Sequence, residues 1–375
     1  MSWQSVKLEE VFDIARGGSP RPIADFITDE PDGLNWISIK DASNSDKYIT
    51  KTKLKIRKEG LNKSRFVKEG DFLLTNSMSF GRPYIMKTTG CIHDGWLVLS
   101  GDKERINQDY FYHLFGSSLL HQLFSRLAAG AVVKNLNIDL VKGVEIPLPP
   151  LAEQQKIAAI LDAADSLRQQ DQQLIDHYTT LSQSLFLEMF GDPVTNLKGW
   201  KIKPLGDIFR LSSGKGLTAK DMDKNGRYPV YGGNGINGYH SEYIFKEPQL
   251  IIGRVGVYCG VIHITEPYSW VTDNAMYVKN KLKEFNMQFM AQLLELSNLN
   301  QYAGQAAQPL VSGSRIHPLE MIYPPIELQN KFAERIQAIE AQKQQAQASL
   351  EKSNALFNSL LQRAFNGELT GSKAA

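Results

Sequence analysis

Two stretches of this chain open alike, run for the same length and close alike, 175 residues apart. The first reads P-L-P-P-L-A-E-Q-Q-K-I-A from Pro147 and ends S-L-F-L-E-M-F-G-D-P. The second reads Y-P-P-I-E-L-Q-N-K-F-A-E-R-I from Tyr323 and ends S-L-L-Q-R-A-F-N-G. Pro150 and Pro325 suit a first helical position, where no N–H is needed. Glu153 places negative charge in the first turn, and Gly191 with Pro193 supplies the stop. No Gly or Pro interrupts either run. The spacing predicts two helices of about forty residues, each roughly 60 Å long at 1.5 Å per residue. Ile157, Ile160, Ala164, Leu167, Leu174, Tyr178, Leu181 and Leu185 mark the seam expected on the first, with Asp171 as its one polar break. Phe332, Ile336, Ile339, Ala346, Leu350, Phe357 and Leu360 repeat it on the second. Such a seam needs a partner helix, and each stretch is the natural partner of the other.

The repeat continues outside the helices. Trp3, Leu8, Val11 and Phe12 match Trp200, Leu205, Ile208 and Phe209 at an offset of 197, with Gly17 and Gly214 following. Tyr110, Phe111, Leu114 and Phe115 match Phe289, Met290, Leu293 and Leu294 at 179. The chain is therefore a tandem duplication, each copy a globular part followed by a long helix. The offset falls from 197 to 175 within the globular parts, so the first is 22 residues longer. Trp36–Ile39, Asp71–Leu74, Trp96–Leu99, Leu250–Ile252 and Ala275–Val278 are predicted strands. A helix is expected near Gln108–Leu127 and another near Phe285–Leu299. The fold class expected is α+β, divided as 1–146, 147–191, 192–322 and 323–369.

Composition narrows the function. The chain has 42 basic and 40 acidic residues, so any nucleic-acid face must be local. Its two cysteines, Cys91 and Cys259, are too few for a disulfide framework and read as small buried hydrophobes. No apolar run spans a membrane, and M-S-W-Q-S-V-K-L does not read as a signal peptide. A cytoplasmic protein with no membrane partner is expected. The seven histidines form no H-x3-H or H-E-x-x-H, so no metal site is expected. S-S-G-K-G is not a Walker A motif. The Pro-Pro pairs lack the flanking residues an amino-methyltransferase uses, so no catalytic residue is assigned.

Polar residues on predicted turns are the candidate binding groups. In Y-P-V-Y-G-G-N-G-I-N-G-Y-H, Tyr231, Gly233 and Asn234 could meet a base edge or a phosphate, or simply build a tight hairpin. T-N-S-M-S-F-G-R-P-Y offers Asn76, Ser79 and Arg82. I-G-R-V-G, in the equivalent place, offers Arg254. Lys40, Lys134, Asn135 and Asn274 are similar. For each arginine, a solvated surface residue is the alternative.

Together the two helix openings, T-N-S-M-S-F-G-R-P, Y-P-V-Y-G-G-N-G-I, I-I-G-R-V-G and W-V-T-D-N-A resemble the specificity subunits of type I restriction-modification systems, over essentially the whole chain. The resemblance implies two target-recognition domains, each reading one half of a split, asymmetric site in double-stranded DNA. It implies an antiparallel helix pair that acts as a spacer and docks two methyltransferase (modification) subunits, with restriction subunits joining. S-adenosylmethionine and ATP would belong to those partners, and this chain would need no cofactor of its own. An enzyme with fused recognition halves, a nuclease or DNA methyltransferase, is a second reading. A coiled-coil adaptor that binds only proteins is a third; salt-dependent binding to duplex DNA separates it from the first.

Overall fold

A computed structural model describes residues 3–43, 45–76, 81–129, 136, 138–304 and 309–370. The two long helices are Leu151–Phe190 and Ile326–Phe365, 40 residues each. Both ends are displaced by the same 175 positions, from 151 to 326 and from 190 to 365. Gly191 takes a φ of +76° just beyond the first helix and Gly367 a φ of +75° beyond the second, a conformation open to glycine at little steric cost. The Lys198 ammonium donates to the carbonyls of Glu188 and Met189, which the last turn leaves without helical partners.

The chain divides into two compact units, residues 1–170 with 349–375, and residues 171–348. Each unit contains one globular part, the near half of one long helix and the far half of the other.

In the first unit a five-stranded sheet runs in the order Phe12–Arg16, Trp96–Gly101, Phe72–Thr75, Pro83–Met86, Tyr48–Ile49. A second runs Ile27–Thr28, Leu54–Ile56, Leu34–Ile37, Gly90–Ile92, Arg65–Val67. Phe72, Leu73 and Leu74 are all buried because alternate side chains leave opposite faces of a strand. Phe72 and Leu74 join the core beneath the helices, whereas Leu73 joins the core shared with Ile37, Val67 and Ile92. The predicted helix from Gln108 breaks at Gly116 into Gln108–Phe115 and Ser118–Ala129. The Ser117 hydroxyl accepts the Leu120 N–H, starting the second segment as an N-cap. Tyr110 stacks edge-on against Phe365, ring centres 5.6 Å apart, so the end of the second long helix closes this core.

The second unit holds a four-stranded sheet in the order Phe209–Ser213, Ala275–Lys281, Leu250–Gly253, Ile262–Ile264. Beside it lies a three-stranded sheet, Gly235–His240, Tyr228–Gly232, Trp270–Val271. Its helix spans Met287–Leu296. Phe190, the last residue of the first long helix, packs on Phe289 at 4.7 Å, and Phe186 meets Phe332 at 5.6 Å. The long helices therefore pair antiparallel within each unit. In the first unit Arg168 Nε donates to Asn354 Oδ1 at 2.9 Å, and its guanidinium covers the Phe357 ring.

The seam on the second long helix follows the expected residues, with Phe332, Ile336 and Ala346 buried. On the first only alternate members of the expected seam do so: Ile157 and Ala164 are buried, and Tyr178 and Leu185 are half-buried. Ile160, Leu167, Leu174 and Leu181 are exposed by 37%, 49%, 44% and 49%, while Leu161, Ser182 and Phe186 are buried. The apolar heptads of that helix face outward. Its inner face is drawn by the globular cores as well as by its partner helix, so it keeps Ile157 and Ala164 and adds Leu161, Ser182 and Phe186.

Two carboxylates hold the first unit's loops to its helix. Lys47 Nζ lies 2.7 Å from Asp109 and 3.1 Å from Asp162, and His113 Nε2 is 2.8 Å from Asp162. Burial would raise the Asp162 pKa, but the His113 and Lys47 hydrogen bonds outweigh it and lower the value. Burial would likewise lower that of Lys47, and its two carboxylate partners raise it instead.

Candidate nucleic-acid interface

In the second unit the ends of four strands bring most of the expected residues together. Arg254 follows Leu250–Gly253; its N–H donates to the Asn274 carbonyl at 2.9 Å, and its Nη1 donates to Ser213 Oγ at 2.8 Å. Gly233 sits against them. A Cβ there would lie 3.3 Å from the Asn274 carbonyl oxygen and 3.6 Å from Gly253 Cα. Asn234 is exposed at the tip of the two-residue hairpin between Gly232 and Gly235, where Gly235 takes a φ of +91°. Tyr231 supplies a wall rather than a contact surface. It is 6% exposed, its carbonyl accepts the Thr272 N–H, and its hydroxyl accepts the Glu266 N–H.

The first unit presents the same edge with different residues. Asn76 is 1% exposed; its N–H donates to the Gly95 carbonyl and its Nδ2 to the Asp94 carbonyl at 2.8 Å. Lys40 is exposed on the short helix Ile39–Ser43. Ile37 pairs with Ile92 as Tyr231 pairs with Val271, both parallel, so Lys40 and Asn234 each stand three residues past the matched position. Ser79, Lys134 and Asn135 lie outside the described residues.

The expected equivalence of Arg82 and Arg254 does not hold. Thr75 faces Trp96 as Gly253 faces Ala275, which makes Asn76 the counterpart of Arg254. Their carbonyls confirm the match: Leu136 N–H donates to Asn76 and Val311 N–H to Arg254, both at 2.9 Å. The two arginines occupy opposite ends of the corresponding loops. Arg82 lies over the Tyr84 ring and lines a cleft with Tyr112, Asp165 and Arg168.

The family model described as the type I restriction modification DNA specificity domain matches residues 1–177 and 197–352. The chain belongs to this family. It is similar to the EcoprrI specificity subunit of Escherichia coli, 23% identical over 341 residues that cover 86% of this chain and 84% of the relative. It is also similar to the MjaIX specificity subunit of Methanocaldococcus jannaschii, 26% identical over 239 residues, 59% of this chain and 54% of that one. The crystal structure of the type I S subunit from M. genitalium shares its fold, with a TM-score of 0.61 and 18% identity over 97% of this chain and 96% of that one.

In this specificity-family chain the two edges differ in the hydrogen bonds their turns make. The second unit has a cleft of about 670 Å³ lined by Thr218, Asp221, Asn237, Thr272, Asp273 and Asn274. Thr272 Oγ1 is buried there and has no hydrogen-bond partner among the described residues. In the first unit the matching turn has side-chain partners of its own. Ser19 Oγ donates to Asp94 at 3.0 Å and Arg21 Nη2 at 3.2 Å, and together they hold its carboxyl below the usual carboxylate range. At the offset of 197, Gly216 and Thr218 stand where Ser19 and Arg21 do. Thr272 was visible within W-V-T-D-N-A, but nothing in that string marks a hydroxyl without a partner. Both cysteines are buried. Among the described residues there is no metal-binding cluster, and no helix is long and apolar enough to cross a membrane.

Proposed function

We propose that this chain is the DNA-recognition subunit of a type I restriction-modification complex, each unit reading one half of a bipartite, asymmetric site in double-stranded DNA. One observation carries the reading. Two units bear different polar residues at matched places on the same edge, beside an aspartate common to both (Asp94 and Asp273): Arg16, Lys40 and Asn76 in one, Ser213, Asn234 and Arg254 in the other. Matched scaffolds with unlike hydrogen-bonding groups are suited to reading unlike base sequences, because base edges carry the sequence information.

The long helices would seat two modification subunits, with restriction subunits joining that assembly. Methyl transfer from S-adenosylmethionine and ATP-driven cleavage would belong to those partners, in the cytoplasm, and this chain would supply recognition. The exposed heptads Ile160, Leu167, Leu174 and Leu181 support a helical partner, since that spacing is the one a coiled-coil neighbour accepts. Sequencing methylated bases in a host carrying the intact system tests the reading. A two-part motif with an unread gap is expected; methylation at a single continuous motif would overturn it.

A further inference from the structure

The two edges differ by an exchange of one arginine between the two strands that flank a shared strand. Arg16 ends Phe12–Arg16 and faces Leu97; Ser213 ends Phe209–Ser213 and faces Met276. Leu97 and Met276 are each the second residue of the second strand of their sheet, so Arg16 and Ser213 hold the same position. On the other side of that strand, Asn76 and Arg254 hold the same position. The first unit thus pairs Arg16 with Asn76, and the second pairs Ser213 with Arg254.

The geometry makes these pairs interchangeable. In the first unit, Arg16 Nε and Asn76 Nδ2 donate to one atom, the Asp94 carbonyl oxygen, at 2.9 and 2.8 Å. In the second, Arg254 reaches across to the Ser213 hydroxyl at 2.8 Å. Either way a guanidinium is tethered by a single nitrogen at that end of its sheet. Its remaining N–H groups have no partner among the described residues. A tethered guanidinium with a free fork is suited to bidentate recognition of the guanine O6 and N7 acceptors.

We propose that Arg16 is the specificity-determining arginine of the first unit, reading a guanine edge in duplex DNA as the counterpart of Arg254. The proposal rests on the DNA-recognition reading above and adds the residue that performs it. Arg16 is exposed, and replacing it removes one hydrogen bond to a backbone carbonyl that Asn76 still satisfies.

The test uses the full chain assembled with its modification subunits and three duplexes: the methylated motif found by sequencing, and that motif with either half scrambled. Binding of the unaltered complex to the intact duplex, and its weakening on both scrambled ones, checks the recognition reading by itself. Given that, Arg16→Ala should weaken binding to the intact duplex by roughly 10- to 100-fold, the loss of one bidentate contact. The loss should vanish when one particular half is scrambled, and Arg254→Ala should behave the same way for the other half. Arg16→Lys keeps the charge but not the fork, and should lose discrimination at the same half. Thermal melting of each variant alone confirms that it is folded. Unchanged binding by a folded Arg16→Ala variant overturns the proposal. So does an equal loss on all three duplexes, which would mean a phosphate contact, or a loss confined to the half that Arg254→Ala affects.

Discussion

Gln154 and Gln329 make the same two contacts from equivalent places on the two long helices. Gln154 Oε1 accepts the Asn107 N–H at 2.8 Å and its Nε2 donates to the Pro149 carbonyl at 2.9 Å. Gln329 Oε1 accepts the Asn286 N–H and its Nε2 donates to the Pro324 carbonyl, both at 2.9 Å. Asn107 and Asn286 are the N-caps of the helices Gln108–Phe115 and Met287–Leu296. Each glutamine is buried and ties the cap of a recognition-domain helix to the start of a long helix.

Removing either amide strands a donor and an acceptor away from water. Gln154→Ala and Gln329→Ala are each expected to cost about 1–3 kcal/mol, the desolvation penalty of unsatisfied buried groups. Urea denaturation of the single variants measures this. A change of a few tenths would mean that water replaces the amide.

Gly17 and Gly214 are also equivalent, and each lies under a backbone. A Cβ on Gly17 would stand 1.9 Å from the His93 carbonyl oxygen; on Gly214 it would stand 2.2 Å from that of Val271. Neither obstacle is a side chain that can turn aside. Alanine at either position should destabilise by at least about 1–3 kcal/mol, the usual cost of overpacking. A melting temperature equal to that of the unaltered chain would show that the strand ends can part.

The Asp162 network sets a pH dependence. A carboxyl whose folded pKa is lowered contributes stability above its unfolded value, about 3.9 for Asp, and loses it as pH falls through the folded value. Lys47, with a raised folded pKa, contributes below about 10.4 and loses its share as pH rises through the folded value. Across neutral pH both contributions are complete. The stability gap between the unaltered chain and Asp162→Asn should therefore stay constant from about pH 6 to 8 and narrow below about pH 5. Denaturation curves at pH 7, 5 and 3.5 test this, and a gap that persists in acid would contradict it.

Leu167 and Leu174 are exposed on the first long helix, which the proposed assembly assigns to a modification subunit. Leu167→Ser with Leu174→Ser should change the stability of the isolated chain by under about 0.5 kcal/mol, as surface substitutions do. The same variant should bind modification subunits less tightly. The positions 175 further on are Gln342 and Ser349, so the second helix offers a more polar seat. Native mass spectrometry during titration with modification subunits reads the loss; unimpaired assembly would move the docking face elsewhere.

Local signals carried much of this structure. Prolines before each long helix, glycines after it and an uninterrupted run between them act on neighbouring backbone, so both helices were legible to within a few residues. The strand cores were legible too, because four consecutive buried residues such as Phe72-Leu73-Leu74-Thr75 need a layer on each face. The duplication and the family resemblance rest on short strings that a reader can align.

What only the tertiary structure decided is which parts meet. Tyr110 and Phe365 touch across 255 positions, and no local pattern says that the end of the second helix closes the first core. The outward turn of Ile160, Leu167, Leu174 and Leu181 has the same origin. Heptad spacing shows that residues share a face, but the surfaces packed around a helix choose which face is inside. Arg254 was legible as a candidate, but its correspondence with Arg16 was hidden for a related reason. A linear offset sets Arg16 beside Ser213, whereas hydrogen-bonded strands place Arg16 next to Asn76 and Arg254 next to Ser213. The shared position of the guanidinium belongs to a sheet edge, formed by strands distant in sequence.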